Sequence, residues 1–230
     1  MARPLSGPRG LNTDGSPADM PRMGRELTDE AGPAWHAAVR WIVAVVIVVG
    51  LQWAAVANDG WVGLLSYVDL GFHELGHMLL MWAPDTVHAF GGTLLQFAVP
   101  LGLAAYFFFG RHDGFAGALM MGWEAVALRN IATYMADAPV RVLPLLGGQD
   151  GHDWVFIFSR WGVLQHAETI ATFVKVLGFL AAGVGLGIAA WGMAAPLLAE
   201  RKQAAYEERL KTLPVRESRN HVPVSVDLDE

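Results

Sequence analysis

Five runs of mainly apolar residues constrain this chain more than any other feature of its sequence. They cover approximately residues 38–57, 61–82, 93–109, 115–135 and 170–198. Because about 20 apolar residues in a helix cross the hydrocarbon core of a bilayer, the runs predict an all-α, polytopic bundle of transmembrane helices. The composition agrees, since 53% of residues are hydrophobic and only 17% are charged, against about 25% charged in soluble domains.

The runs divide the chain into three parts. Residues 1–37 form a polar tail rich in Pro, Gly, Arg and Asp that we predict to be disordered. Residues 38–199 form the membrane domain. Residues 200–230 form a charged C-terminal tail, which we expect to begin as a short solvated helix and to end in disorder. The mixed stretch 136–168 is compatible with a surface helix, a re-entrant segment or a sixth short span. The sequence therefore predicts five to six membrane segments.

The acidic residues are concentrated in the most apolar part of the chain. The net charge is −6, and residues 41–199 hold ten Asp or Glu but five Lys or Arg. Acids inside a hydrophobic block are costly unless they are paired, bind a metal or face water. The chain has no cysteine, which excludes disulfides and thiolate ligands, so any metal site must use His, Asp and Glu. The acidic balance and apolar composition also argue against a nucleic-acid binder and predict the lipid bilayer as a partner.

The sequence His-Glu-Leu-Gly-His at residues 73–77 lies inside the second apolar run. On a helix, His73 and His77 are one turn apart on one face, which is the spacing that two imidazoles need to share a zinc ion. Glu74 projects beside them and can hold a zinc-bound water. Random placement gives about 0.03 occurrences of such a motif in a chain of this composition. The alternative is a polar helix face that neighbouring helices satisfy.

A catalytic zinc site needs a third protein ligand and an open fourth position. The candidates are Asp150, His152 and Asp153 in a glycine-rich stretch. Asp153 could instead orient His152 or cap the following helix, and capping alone is the alternative for either aspartate. Asp69, one turn before His73, could accept a hydrogen bond from the free ring nitrogen of that histidine or lie at a helix end.

The fourth run carries a polar stripe. Asn130, Tyr134 and Asp137 are spaced i, i+4 and i+7, so they share one helix face. Asn130 could stabilise a substrate carbonyl or a developing oxyanion. Hydrogen bonding between helices is the competing explanation.

These residues resemble a known family, the site-2 protease group of intramembrane zinc metalloproteases. The resemblance rests on the HELGH helix, on Gly91 and Gly92 followed by Gln96 and Pro100, and on the later Leu-Pro and Asp-Gly-His sequences. The order Leu-Pro-Leu-Leu-Gly-Gly and then His-Asp-Trp is similar to a poorly characterised bacterial branch of such proteins.

The resemblance implies several properties. In that group the HExxH helix and a downstream Asp-Gly motif supply the metal ligands, which corresponds here to Asp150. The His-Asp-Trp sequence directly after Asp-Gly departs from the usual pattern and favours His152 or Asp153. A glycine-containing hairpin in that group presents substrate as an extended strand, so Gly91, Gly92 and Gln96 become candidate substrate-binding residues.

The resulting expectation is a membrane-embedded endopeptidase with one Zn²⁺ ion. Its substrate would be a membrane protein or a membrane-adjacent peptide, and its location the bacterial inner membrane. Glu74 would be the general base, with Asn130 as a second catalytic residue. Two alternatives remain at this stage: a non-catalytic metal-binding membrane scaffold and a small transporter that uses the acids and histidines as an ion path.

Overall fold

The structure is a computed structural model that describes residues 34–146, 148 and 151–212. Most of the predicted N-terminal tail, the last 18 residues of the C-terminal tail and Asp150 lie outside the described residues. The described part confirms the predicted all-α class. It contains six α-helices in chain order: α1 (Ala34–Ala57), α2 (Gly63–Leu79), α3 (Asp85–Ala105), α4 (Gly114–Asp137), α5 (Asp153–Trp161) and α6 (Ala167–Thr212).

Three stretches of helix are long and apolar enough to cross a membrane, judged by length and composition within the described residues. They are Ala38–Ala57 in α1, Asp85–Gly110 through α3 and the π-helical turn after it, and Leu164–Thr212 through α6. Large apolar side chains cover their outer faces, and Trp53, Phe173 and Trp191 are each at least two-thirds exposed. Soluble proteins rarely leave so much contiguous apolar surface in water. These features are consistent with a membrane protein.

The helix bounds differ from the predicted runs at two places. Helix α3 begins at Asp85, eight residues before the predicted run, and α6 continues to Thr212 into the predicted charged tail. Between the end of α4 and the start of α6, the described residues of the mixed stretch 136–168 form α5 and a short 3₁₀ turn. Because α5 has nine residues, it extends about 13 Å at 1.5 Å per residue, which is too short to cross a bilayer.

Helix α4 is the centre of the bundle and packs against α1, α3 and α6. Small residues allow α6 to approach it closely. A Cβ atom at Gly178 would lie 3.1 Å from the carbonyl oxygen of Ala125, and one at Gly185 would lie 2.9 Å from that of Ala118. Glycine spacing of this kind lets two helix backbones approach each other in membrane bundles, where close packing replaces the hydrophobic effect.

Helix α5 is short but firmly packed. Its residues Trp154, Ile157 and Phe158 are buried in one apolar cluster. The cluster also contains Ile131 and Met135 of α4 and the first turns of α6. A nine-residue helix is marginal by itself in water, so this packing fixes where α5 begins and therefore where Asp153 lies.

Candidate metal centre

The two histidines of the HELGH sequence face α3 because α2 and α3 are in backbone contact. Gly76 of α2 and Gly91 of α3 approach so closely that a Cβ atom on either would collide with the carbonyl group of the other. His73 is buried and His77 is partly buried at this crossing. The glycines therefore explain why two imidazoles point into the bundle rather than away from it.

Three ligand atoms converge beside this crossing. His73 Nε2 lies 3.1 Å from His77 Nε2 and 3.1 Å from Asp153 Oδ2. His77 Nε2 lies 3.2 Å from the same carboxylate oxygen. Among the described residues, this is the group of His, Asp and Glu side chains that could hold a metal ion. We call it the metal triad.

The opposite ring nitrogens are held by hydrogen-bond acceptors. His77 Nδ1 lies 2.9 Å from the backbone oxygen of His88, and His73 Nδ1 lies 3.3 Å from Gln96 Oε1. A carbonyl oxygen only accepts, so Nδ1 of a neutral His77 carries the proton and its Nε2 presents a lone pair. The same reasoning applies to His73. With both imidazoles neutral, three lone pairs point toward one place, an arrangement that a metal ion between them would stabilise.

Gly92 forms one wall of the triad. A Cβ atom added there would lie 2.5 Å from Nε2 of His73 and 2.5 Å from Nε2 of His77. Any other amino acid would displace the two imidazoles or fill the space between them. Glycine is therefore required at this position by the approach of the side chains, even though it weakens the interior of a helix.

Asp153 reaches the triad from the first turn of α5. Tyr134 of α4 donates from its hydroxyl to Asp153 Oδ2 at 3.2 Å and accepts the backbone N–H of Asp153 at 3.0 Å. Burial by itself raises the pKa of Asp153, but the neighbouring imidazoles of His73 and His77 outweigh it and lower the pKa to about 2. The residue is therefore an ionised ligand donor.

His152 lies outside the triad. Burial lowers its pKa, which favours the neutral imidazole. Its ring stacks on Tyr134 with centroids 4.3 Å apart, and its Nε2 lies 3.4 Å from Asp137 Oδ2. Of the two described candidates for third ligand, the structure thus brings Asp153 to the histidines and places His152 beside Asp137.

A pocket of about 220 Å³ opens next to the triad. Asp153 lines one side of it, while His88 and Phe156 line others. The pocket is smaller than a typical binding site for a drug-sized ligand, so it has room for about one side chain. Solvent can reach Asp153 through it.

The other predicted residues occupy different positions. Glu74 is exposed and lies close enough to His77 and Tyr134 to interact with both electrostatically. Asn130 is connected to the triad through Gln96, which donates to Asn130 Oδ1 at 3.0 Å. Asp69 accepts from Trp123 at 2.7 Å. The acceptor for the second nitrogen of His73 is therefore Gln96 and not Asp69.

The segment with Gly91 and Gly92 is helical throughout, since it lies inside α3. The extended hairpin implied by the resemblance is not observed there. Both glycines serve the packing around the histidines, and Gln96 is buried against His73. Their role in binding substrate stays a prediction.

Sequence reasoning missed the supporting contacts of the triad. The hydroxyl of Tyr134 and the backbone oxygen of His88 were not assigned to it, and Gln96 was assigned to substrate. The spacing of Asn130 and Tyr134 on one face was a signal for a polar lining but not for its partners. Comparisons with protein-family models, curated proteins and solved structures found no match.

Proposed function

We propose that this chain is a membrane-embedded zinc endopeptidase that hydrolyses peptide bonds of membrane proteins or membrane-adjacent peptides. In this proposal it is a multi-pass protein of the bacterial inner membrane, and α1, α2, α3, α4 and α6 are its membrane segments. The resemblance to site-2 proteases at residues 73–77 supports the same reading.

The convergence of the metal triad is the observation that carries the proposal. Donor atoms about 2.0–2.1 Å from a tetrahedral zinc are about 3.3–3.4 Å apart. The three separations in the triad are 3.1, 3.1 and 3.2 Å. Two neutral imidazoles and one carboxylate are also a donor set found in catalytic zinc enzymes, in which the fourth position is left for water.

The chain's own residues supply the remaining functions of a hydrolase. A bound zinc ion would lower the pKa of water toward about 7 and polarise a carbonyl group. Glu74 would accept one proton from the attacking water and transfer it to the amide nitrogen as the carbon–nitrogen bond breaks. Its exposed position, within electrostatic reach of His77, leaves its carboxylate free for that exchange.

The pocket beside Asp153 supports a peptide substrate. It opens between the first turns of α3 and α5, where Asp85 and Gly151 contribute to its lining. An intact helix shields its amide groups in its own hydrogen bonds, so a membrane substrate must be locally unwound to be cleaved. The pocket would then hold one side chain next to the scissile bond.

A non-catalytic metal-binding scaffold is the second candidate. It predicts a closed site with four protein ligands, whereas the triad has three members among the described residues. A small transporter is the third candidate, and the polar side chains inside the bundle are compatible with an ion path. Three protein ligands within the described part of the chain, rather than four, favour the peptidase.

The experiment measures zinc content and peptide cleavage on purified protein in detergent. The substrate is a fluorescence-quenched set of apolar peptides. We expect Glu74→Gln to retain zinc and lose cleavage, and His73→Ala to lose both. Glu168→Gln, which changes an exposed carboxylate at the start of α6, is the matched control and should behave as wild type.

Two results would contradict the proposal. Absence of zinc above background in the wild-type protein would remove the metal centre. Equal cleavage by wild type and Glu74→Gln would remove the general-base role of Glu74. Stoichiometric zinc without cleavage of any peptide would favour the scaffold, and ion flux into liposomes that depends on His73 and His77 would favour the transporter.

A further inference from the structure

The carboxylate of Asp137 contacts both ends of the loop between α4 and α5. At the start of the loop, its Oδ1 accepts the backbone N–H of Val142 at 2.9 Å and that of Leu143 at 3.3 Å. At the end of the loop, its Oδ2 lies 3.4 Å from Nε2 of His152. Asp137 is buried at the end of α4, so one fixed side chain contacts Val142, Leu143 and His152.

His152 connects Asp137 to Tyr134. Its side chain is buried and stacks on the tyrosine ring with an angle of 17° between the planes. Neither ring nitrogen of His152 has a well-formed hydrogen bond among the described residues. Burying a polar ring without such bonds costs free energy, and it is tolerated here where the ring packs between Tyr134 and Asp137.

Tyr134 then holds the next residue directly. Its hydroxyl accepts the backbone N–H of Asp153 and donates to Asp153 Oδ2, the oxygen that faces both histidines. One donated and one accepted hydrogen bond of the same hydroxyl hold both the carboxylate and the backbone of Asp153. The third member of the triad is therefore oriented by Tyr134.

We propose that Asp137, His152 and Tyr134 form a clasp that positions Asp153 as a metal ligand. The inference rests on the metal centre of the proposed function but not on peptide hydrolysis. The three are positioning residues, because they act through Asp153. Their contacts in the loop between α4 and α5 and the binding of a metal ion stabilise each other. Mutation of a residue that orients a metal ligand lowers metal affinity about 10- to 100-fold.

The test compares Tyr134→Phe with Tyr106→Phe in the full chain in detergent. The first removes the hydroxyl and keeps the stacking ring, and the second removes an exposed hydroxyl far from the triad. Zinc affinity is measured by competition with a chelator. We expect Tyr134→Phe to lower it about 10- to 100-fold and Tyr106→Phe to leave it unchanged.

Two further measurements separate positioning from general stability. The visible absorption of the Co²⁺-loaded protein reports the donor set, and we expect Tyr134→Phe to change the spectrum. Zinc should also protect the exposed Arg141 in the loop from trypsin in the wild type, and this protection should weaken in Tyr134→Phe. Asp137→Asn, which keeps one oxygen for the loop N–H groups, should give the same changes in smaller degree.

An unchanged Co²⁺ spectrum and unchanged zinc affinity in both Tyr134→Phe and Asp137→Asn would overturn the clasp. Lower thermal stability of the metal-free variants with normal zinc affinity would also overturn it, because that is the signature of a purely structural role. A wild type that binds zinc through His73 and His77 but cleaves no peptide would contradict the proposed function and leave the clasp in place.

Discussion

The metal triad differs in its hydrogen bonding from a second buried polar cluster of the bundle. In the metal triad, Nδ1 of each histidine has a hydrogen-bond acceptor, and the carboxylate of Asp153 accepts from the hydroxyl of Tyr134. The second cluster, which we call the acid pair, consists of Asp69 on α2 and Glu124 on α4. Both are 1% exposed and interact electrostatically.

The acid pair lacks the support that the triad has. Trp123 donates to one oxygen of Asp69, but the other oxygen of Asp69 and both oxygens of Glu124 have no hydrogen bond of good geometry among the described residues. The backbone of Leu101 lies close enough to the carboxyl group of Glu124 to interact with it. Burial of acids in a membrane protein is thus not enough to mark a metal site. Convergence of lone pairs, each held by a partner, is the distinguishing feature.

The largest expected difference between the clusters is in metal binding. We expect His73→Ala to abolish stoichiometric zinc binding. The loss of zinc affinity should exceed the loss of about 100-fold expected when a residue that only orients a ligand is changed. Glu124→Gln should leave zinc affinity unchanged because Glu124 contacts no member of the triad. Equilibrium dialysis of both variants checks this, and equal losses would show that the two clusters form one site.

The second prediction concerns the wall of the triad. Gly92→Ala places a methyl group 2.5 Å from both imidazole nitrogens, so we expect a clear drop in zinc affinity and a loss of about 1–3 kcal/mol in unfolding free energy from overpacking. Gly102→Ala on the same helix meets no atom within 4 Å and is the control. Similar behaviour of the two variants in zinc titration and chemical unfolding would contradict the approach of Gly92 to the histidines.

The third prediction contrasts a partnered with an unpartnered buried polar residue. Gln96→Leu leaves His73 Nδ1 without its acceptor, so we expect a loss of about 1–3 kcal/mol in unfolding free energy and about 10- to 100-fold weaker zinc binding. Glu124→Leu removes a buried carboxyl group that has no hydrogen bond of good geometry among the described residues, and stability should stay constant or increase. Chemical unfolding in detergent micelles measures the unfolding free energy of both variants. A larger loss of stability in Glu124→Leu than in Gln96→Leu would contradict the prediction.

The smallest expected effect is at the hydrogen bond between Trp123 and Asp69 of the acid pair. Trp123→Phe removes the donor to Asp69, and we expect a loss of about 1 kcal/mol in unfolding free energy with no change in zinc affinity. Trp53→Phe, at an exposed position on α1, controls for the loss of an indole. A change in zinc affinity in Trp123→Phe would connect the acid pair to the triad.

The sequence predicted the helices well where their signal is local. The apolar runs identified α1, α2 and α4 to within a few residues because length and hydropathy are properties of the run itself. The start of α3 at Asp85 was missed because the polar residues of its first turn reduce the local hydropathy. The solvated helix expected at the start of the C-terminal tail is observed as far as Thr212, where it continues α6 without a break.

In the candidate site too, some features have a local signal in the sequence and others do not. His73 and His77 share a face because they are four residues apart on one helix, and their nitrogens lie 3.1 Å apart as that spacing predicts. The choice between His152 and Asp153 is different. The two are neighbours in sequence, and which of them faces the histidines depends on where α5 packs against α4 and α6.

The sequence by itself therefore determined an all-helical chain with a pair of histidines on one helix face. Only the tertiary structure decided that Asp153, 80 residues after His73, completes the triad, that Gln96 and Tyr134 orient it, and that Glu124 and Asp69 lie apart from it. The physical reason is the separation along the sequence over which each effect acts. Helix periodicity and hydropathy act between residues a few positions apart, whereas a metal centre is assembled by packing between helices that are distant in sequence.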